Sequence, residues 1–172
     1  MAKILMVISE RGFRDEEFAE PYSLFKSANH DVTVASTGPG EAVGKLGMRV
    51  NPDTTIDKVD PAAYDAVVVA GGPTTPTYIW GNRHVQKALQ ETHKKGGVIA
   101  AICLAPVVMA KASLVSGKRC TVYPTEESIS EMKKGGCTLV KDHVVADGRI
   151  ITADGPVAAS EFGKVVLRAL QK

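Results

Sequence analysis

The sequence predicts an α/β protein, a three-layer sandwich whose mostly parallel, flavodoxin-like central sheet has helices on both faces, together with a short β-hairpin. Short β-branched runs alternate with helical stretches along the chain. The runs at residues 66–70 and 98–102 are apolar throughout, as in parallel strands that are buried on both faces. The chain has 172 residues, 44% of them hydrophobic, which is enough for one core. We therefore expect one domain, residues 1–172.

The predicted elements follow one another in chain order. Apolar and β-branched runs predict strands at residues 3–8, 31–35, 66–70, 98–102 and 119–122. Apolar residues at helical spacing predict helices at residues 15–28, 82–95, 104–112 and 125–135 and after residue 156. The first helix has Phe18, Tyr22 and Phe25 on one face, and Pro21 is expected to bend it.

Local signals mark where several elements begin or turn. Asn82 and Thr125 are expected to cap the helices that follow them. The glycine-rich residues 38–47 are expected to form a loop or a hairpin excursion. Asp147 and Gly148 lie between two apolar pairs and are the two-residue signal for a type I′ hairpin.

Charge and composition argue against several classes of function. The 21 Lys and Arg residues and 19 Asp and Glu residues leave a net charge of +2 with no long basic run, so nucleic acid is not an expected partner. Residues 38–46 have Pro39 and Leu46 where a phosphate-binding loop needs Gly and Ser or Thr. Four scattered histidines with no neighbouring cysteine predict no zinc site, so neither a metal nor a cofactor is expected. The apolar residues 4–8 are too few to span a membrane and lead into no cleavage site.

The three cysteines suggest a compartment and one reactive position. An odd number of cysteines without CxxC spacing suits a reducing environment, so a cytoplasmic location is expected. Cys120 and Cys137 have no assigned role. Cys103 differs from them because it stands where a buried strand runs directly into a helix.

A thiol at such an elbow has a geometry that favours chemistry. The turn lifts a nucleophile above the sheet edge, and the amides that begin the helix can stabilise a thiolate. The backbone N–H groups of Leu104 and, from the neighbouring strand end, Gly72 are candidate donors to an oxyanion. The competing interpretation is that Cys103 is simply a small buried hydrophobic residue.

Several segments resemble the motifs of a known family, the ThiJ/PfpI family of the class I glutamine-amidotransferase-like superfamily. They are GFRDEE at 12–17 with Pro21 after it, AGG at 70–72, AICLAP at 101–106, TVYP at 121–124 and DGRIITADGP at 147–156. The resemblance runs in order from residue 3 to about residue 170. The family includes intracellular peptidases and a protein deglycase, and its members form dimers or higher homo-oligomers, so a homo-oligomer is expected here.

The resemblance implies that Cys103 is the reactive cysteine and that Glu17 is the acid whose carboxyl contacts its sulfur. A carboxylate and a thiolate in contact repel each other. Either Glu17 therefore holds a proton and donates it to the thiolate, or Cys103 remains a thiol. The neighbours Asp15 and Glu16 are expected to be solvated helix residues.

Three positions depart from the family's subgroups. Leu104 stands where the peptidases carry the histidine that follows their cysteine, so a peptidase would need His84, His143 or a histidine from another subunit. Tyr123 stands where the deglycase branch has histidine, and its hydroxyl either contacts substrate or its ring packs under the elbow. Asp154 stands where that branch has arginine, and it is expected to be a helix cap or a surface group.

The leading hypothesis is a glyoxalase-like or deglycase-like enzyme that acts on small reactive carbonyls or glycated side chains. The Cys103 thiolate would add to the carbonyl, Glu17 would manage the proton, and the Gly72 and Leu104 amides would hold the alkoxide. The alternative is a redox-responsive or chaperone-like stress protein in which Cys103 oxidises without turnover. A third hypothesis is an intracellular cysteine peptidase.

Overall fold

The computed structural model describes residues 1–172 and contains a seven-stranded sheet between helical layers. The strands are Lys3–Ile8 (β1), Asp31–Ser36 (β2), Ala42–Val43 (β3), Arg49–Val50 (β4), Thr54–Thr55 (β5), Ala66–Val69 (β6), Val98–Ile102 (β7), Arg119–Cys120 (β8), Thr138–Leu139 (β9), Val144–Asp147 (β10) and Ile150–Ala153 (β11). The helices are Asp15–Ser27 (α1), Thr75–Tyr78 (α2), Arg83–Lys94 (α3), Pro106–Lys111 (α4), Glu126–Lys134 (α5) and Ala159–Leu170 (α6), with short 3-10 turns at Ile56–Lys58, Pro61–Ala63 and Pro156–Ala158. None of the helices is both long and apolar enough to cross a bilayer.

Six of the seven strands in the central sheet are parallel. Their order across the sheet is β10-β11-β7-β6-β1-β2-β5, and β10 alone runs antiparallel, paired with β11 as a hairpin. The carboxyl ends of β1, β6, β7 and β11 therefore meet at one edge of the sheet, where ligand sites of such folds lie. The arrangement confirms the predicted fold class.

Two helical layers cover the sheet, and each has its own core. Helices α1 and α6 pack together on one face, while α3 and α4 cover the other, with α5 packed on α4. Alternate side chains of β1 serve the two layers: Ile4, Met6 and Ile8 face α1 and α6, whereas Leu5 and Val7 face α3 and α4. All five are completely buried, and each such side chain stabilises the fold by about 1.5–3 kcal/mol. The apolar runs in the sequence are thus strands with no solvent face.

Both predicted helix caps are confirmed. The Asn82 Oδ1 atom accepts hydrogen bonds from the backbone N–H groups of His84 and Val85, at 3.0 and 3.2 Å. The Thr125 Oγ1 atom accepts from the Ser128 N–H at 3.0 Å, and the Ser128 Oγ accepts from the Thr125 N–H at 2.9 Å, which completes a capping box.

The strand predicted at residues 119–122 is shorter and lies outside the central sheet. Only Arg119–Cys120 pairs, in a two-stranded parallel ribbon with β9. The next backbone donors are used elsewhere: the Thr121 N–H donates to the Thr152 Oγ1 at 2.9 Å, and the Tyr123 N–H donates to the Cys103 carbonyl at 2.8 Å. These contacts tie the segment to the two central strands that end beside it.

The glycine-rich segment is a hairpin excursion, and it corrects the prediction for Asp15. Strands β3 and β4 pair antiparallel, and the turn between them folds back onto the start of α1. Asp15 is buried, and its carboxylate accepts hydrogen bonds from the N–H groups of Leu46 and Met48, at 3.1 and 3.0 Å. The prediction of a solvated Asp15 was wrong because the partner segment lies about 30 residues away, beyond the range of any local pattern.

The turn of the β10–β11 hairpin also differs from its prediction. Asp147 pairs with Ile150, so the turn residues are Gly148 and Arg149 rather than Asp147 and Gly148. Gly148 has a φ of 61°, whereas Arg149 has a negative φ. A positive φ at only the first turn residue fits a type II′ turn and not type I′.

Asp15→Ala should lower the free energy of unfolding by about 1–3 kcal/mol, because a buried carboxylate that accepts two backbone hydrogen bonds is removed. Urea unfolding followed by circular dichroism measures the change. The matched control is Glu16→Ala one residue along, where the side chain makes only a half-exposed ion pair with Arg14, and it should change the free energy by less than about 0.5 kcal/mol. Equal effects of the two variants would contradict the assigned role of Asp15.

Candidate active site

Cys103 adopts a strained backbone conformation directly after β7. Its φ is 65°, in the left-handed region that residues with a Cβ rarely occupy. The neighbouring strand and loop hold it there, since the Cys103 N–H donates to the Ala153 carbonyl and the Cys103 carbonyl accepts from the Tyr123 N–H, both at 2.8 Å. The thiol-bearing residue is 7% exposed. An outlier fixed in this way, at the carboxyl end of a central strand, is typical of a functional site.

Glu17, in the first turn of α1, is buried against this elbow. It has no exposed surface, and its Oε1 atom accepts a hydrogen bond from the Gly71 N–H at 3.1 Å. The Oε2 atom is buried and has no hydrogen-bond partner. The Cys103 thiol is the neighbouring side chain that acts on the pKa of the carboxyl. The structure thus brings together the two residues that the resemblance paired.

The pKa values of Glu17 and Cys103 are both raised. Burial raises the pKa of Glu17 to about 7, against weaker opposing effects of its hydrogen bonds with Cys103 and Gly71. Burial and the adjacent Glu17 charge raise the pKa of the Cys103 thiol to about 12, although the Gly72 and Leu104 N–H groups act in the opposite direction. The first proton therefore leaves the pair near neutral pH and the second is held far more tightly. Above neutrality the pair therefore keeps one proton, which rests mainly on the sulfur and can pass to the adjacent carboxyl.

Two glycines allow the three segments of the site to meet. A Cβ on Gly71 would lie 2.6 Å from the Cys103 Cβ and 2.8 Å from the Glu17 Oε1. Gly72 has a φ of 126°, and a Cβ there would lie 2.5 Å from the Gly12 carbonyl oxygen. Neither position has room for any side chain. The prediction placed only a Gly72 amide donor here, whereas the structure shows that both glycines are also required by close packing.

Leu104 and Trp80 together orient the peptide that follows the cysteine. The Leu104 N–H lowers the pKa of the Cys103 thiol, as does the Gly72 N–H. On the other side of the same residue, the Leu104 carbonyl accepts a hydrogen bond from the Trp80 Nε1–H at 2.8 Å. Trp80 is 5% exposed and was not singled out from the sequence. It follows a short helix, α2, in a segment without periodicity, so only the tertiary contact identifies it.

Tyr123 lies at the surface beside the elbow. It is 45% exposed, which does not fit the alternative that its ring packs under the elbow, whereas contact with a substrate stays a prediction. The ring lies near Gly155, where an added Cβ would contact it at 3.5 Å. Its phenol therefore remains available to solvent or to a molecule approaching from outside.

The histidines are not among the groups that act on Cys103. His143 pairs with Asp154 through an Nδ1 to Oδ2 hydrogen bond of 2.8 Å, and its side chain is 84% exposed. Asp154 is therefore a partially exposed hydrogen-bond partner of His143; it does not cap the following helical turn, which begins after Gly155 without a side-chain cap. His84 lies in the first turn of α3, where its N–H bonds to the Asn82 cap. Within one chain, Glu17 is the side chain that acts on the pKa of Cys103.

The site is defined by its chemistry rather than by the size of a cavity. The largest surface groove, of about 1000 Å³, lies between β10 and α6 and is lined by neither Cys103 nor Glu17. No group of three or more His, Cys, Asp or Glu side chains is placed to hold a metal ion. What distinguishes the elbow is a buried carboxyl against a thiol with two backbone donors aimed at the sulfur.

Comparisons with known proteins agree with this geometry. The model of the DJ-1/PfpI family matches residues 2–169. An uncharacterized protein of Methanocaldococcus jannaschii is 44% identical over 99% of this chain and 83% of its own length. Protein/nucleic acid deglycase 2 of Escherichia coli is 30% identical over 99% of both chains. The crystal structure of a ThiJ/PfpI domain protein from Brachyspira murdochii superposes with a TM-score of 0.92 and 32% identity, over 98% of this chain and 96% of that one.

The family resemblance inferred from the short motifs is thus confirmed over nearly the whole length of the chain. Three of the five segments that carried it, residues 12–17, 70–72 and 101–106, meet at the elbow in the structure. On the family match, the sequence relatives and the fold together, the chain belongs to the DJ-1/PfpI family.

Proposed function

We propose that this protein is a cysteine-dependent enzyme of a reducing, cytoplasmic environment that acts on reactive carbonyls or glycated side chains, as a deglycase or glyoxalase. The observation that carries the proposal is the buried Glu17 carboxyl in contact with the Cys103 thiol, with a pKa of about 7. The name of the Escherichia coli relative, a protein/nucleic acid deglycase, supports the same class of substrate.

The chemistry begins with the shared proton. When Glu17 holds it, Cys103 is a thiolate that receives hydrogen bonds from the Gly72 and Leu104 amides and from the carboxylic acid. The sulfur lone pair forms a bond to the carbonyl carbon of an aldehyde, and the C=O π pair moves to the oxygen. The Glu17 proton then passes to that oxygen, which gives a neutral hemithioacetal and leaves Glu17 as a carboxylate able to take a proton back in the next step.

The Gly72 and Leu104 amides stabilise the negative charge both on the sulfur and on the alkoxide that forms beside it. In the resting site they face the sulfur, where they lower the pKa of Cys103. As charge moves from sulfur to the adjacent alkoxide, fixed donors at this position stabilise it without reorganisation, and one such donor contributes about 3–4 kcal/mol in well-studied hydrolases. The Trp80 hydrogen bond to the Leu104 carbonyl keeps one of these peptides in place.

A second function has one observation in its favour. The unpaired Glu17 Oε2 beside the Cys103 sulfur is placed to donate to an oxygen added by oxidation. That arrangement suits a redox-responsive protein in which Cys103 becomes a stable oxyacid without turnover. Carbonyl consumption by the reduced enzyme separates this function from the first. A peptidase would require a histidine from another subunit, because no histidine acts on Cys103 within the chain.

Cys103→Ser and Glu17→Gln should each lower methylglyoxal consumption by at least about 100-fold, since the first removes the nucleophile and the second removes the proton carrier. Spectrophotometric loss of the dicarbonyl measures the rate. Cys137→Ala, a thiol away from the elbow, is the matched control and should keep the activity of the parent protein. An unchanged rate in either of the first two variants would remove the proposal.

The pH dependence should follow the first ionisation of the pair. Below pH 7 both groups hold their protons and no thiolate forms, so kcat/KM should rise about tenfold per pH unit and level off above the Glu17 pKa of about 7. In Glu17→Gln the residual activity should instead rise only at alkaline pH, because burial still raises the thiol pKa. Identical profiles for the two proteins would show that Glu17 does not titrate with the thiol.

The burial of Glu17 should also make the free energy of unfolding depend on pH, which can be measured without an activity assay. A carboxyl whose folded pKa is raised from 4.5 to about 7 favours folding at acid pH, and that contribution is lost as the pH rises through 7. Glu17→Gln has no charge to bury, so its free energy of unfolding relative to the parent should increase by roughly 3 kcal/mol between pH 4.5 and pH 8. Chemical denaturation at the two pH values tests this, and a constant difference would contradict it.

A further inference from the structure

The two cysteines without an assigned role lie next to each other. In the β8–β9 ribbon, Cys120 is opposite Leu139, and Cys137 stands two residues before Leu139 on the same face. Both side chains pack in the apolar cluster beneath α3 and α4. Cys120 is completely buried, whereas Cys137 is only partly covered. The ribbon thus holds a thiol pair with one member accessible from outside.

The two thiols differ in how readily they ionise. The neighbouring Cys137 raises the pKa of Cys120, whereas Cys120 lowers that of Cys137. Burial raises both values, that of Cys120 to about 12. Cys137 also donates to the Met132 carbonyl at 3.3 Å. Of the two, Cys137 is the thiol that ionises more readily and that a small oxidant reaches first.

We propose that Cys120 and Cys137 form an intramolecular disulfide in the presence of hydrogen peroxide, with Cys137 as the attacking thiol and Cys120 as the resolving thiol. The Cys137 thiolate attacks one peroxide oxygen, the O–O bond breaks, and the leaving hydroxide takes a proton, which gives a sulfenic acid and one water. The Cys120 thiolate then attacks the Cys137 sulfur and displaces hydroxide, which takes the Cys120 proton and leaves as a second water. The two thiols thereby lose two electrons, and the peroxide is reduced to two molecules of water.

The backbone around Cys137 can supply the movement that a disulfide needs. Diagonal neighbours on paired strands have Cα atoms roughly 7–8 Å apart, slightly beyond the reach of a relaxed disulfide. Cys137 precedes the first paired residue of β9 and follows Gly135 and Gly136, the latter with a φ of 84°. Rotation at these glycines is the movement that would bring the Cys137 Cα closer to Cys120.

The resulting disulfide would be chemically distinct from oxidation at Cys103. The groups that act on the Cys103 thiol are Glu17 and two backbone amides, and no second thiol is among them. No second thiol of the chain therefore acts on Cys103 to resolve its oxidation, whereas the ribbon pair can be restored by a thiol reductant. The ribbon is also connected to the elbow, because the segment after Cys120 ends in the Tyr123 N–H that holds the Cys103 carbonyl.

The test is peptide mapping of the dilute protein after hydrogen peroxide treatment, without reduction, with the unmodified chain and with Cys103→Ser. In both proteins we expect a peptide linking Cys120 to Cys137, lighter by two hydrogen atoms than the two reduced peptides together and lost on treatment with dithiothreitol. Its rate of formation should rise between pH 7 and pH 9, because both thiols ionise above their ordinary range. Recovery of Cys137 as an oxyacid beside an unmodified Cys120, or links only between chains, would overturn the proposal.

Two single variants test the order of attack. In Cys120→Ala the sulfenic acid has no resolving partner, so Cys137 should progress to sulfinic acid. In Cys137→Ala the remaining Cys120 is fully buried and should stay reduced under the same treatment. If Cys120 in Cys137→Ala were oxidised as fast as Cys137 in Cys120→Ala, the assigned roles would be refuted.

Discussion

The site depends on a constraint in the backbone: the loop before α1 must lie directly over Gly71 and Gly72. The Arg14 N–H donates to the Gly71 carbonyl at 2.9 Å, and no Cβ fits at either glycine. This approach is what drives the first turn of α1 against the end of β7. The Glu17 carboxyl is consequently placed beside the Cys103 sulfur and is shielded from water.

Burial of Glu17 beside Cys103 raises the pKa of the carboxyl and also lowers the stability of the folded state above neutral pH. A carboxylate beside a thiolate is unfavourable, so the pair keeps one proton that a solvated glutamate would have lost. The folded state is less stable above neutral pH for the same reason that the sulfur can be activated there. The strained φ of Cys103 adds to that cost, and the surrounding parallel strands, with their two complete cores, compensate for it.

Local patterns were sufficient wherever the determining contacts were local. The apolar runs of β1, β6 and β7, the Asn82 and Thr125 caps and the existence of the final hairpin depend on residues close in sequence. Asp15 was misjudged because its partners lie in a distant turn. The prediction made β8 too long. The backbone N–H groups of Thr121 and Tyr123 donate to the Thr152 hydroxyl and the Cys103 carbonyl instead of pairing with a neighbouring strand.

The sequence by itself determined the fold class, the strand-to-helix elbow at Cys103 and, through short motifs, the family and the pairing of Cys103 with Glu17. Tertiary structure alone decided the environment of that pair, because burial and the positions of backbone donors arise from segments 12–17, 71–72 and 103–104 meeting at one sheet edge. It alone separated the histidines from the thiol, brought Trp80 to the elbow and placed Cys120 against Cys137. A residue's type and spacing fix which reactions it can perform, whereas its pKa and partners are set by neighbours that are distant in sequence.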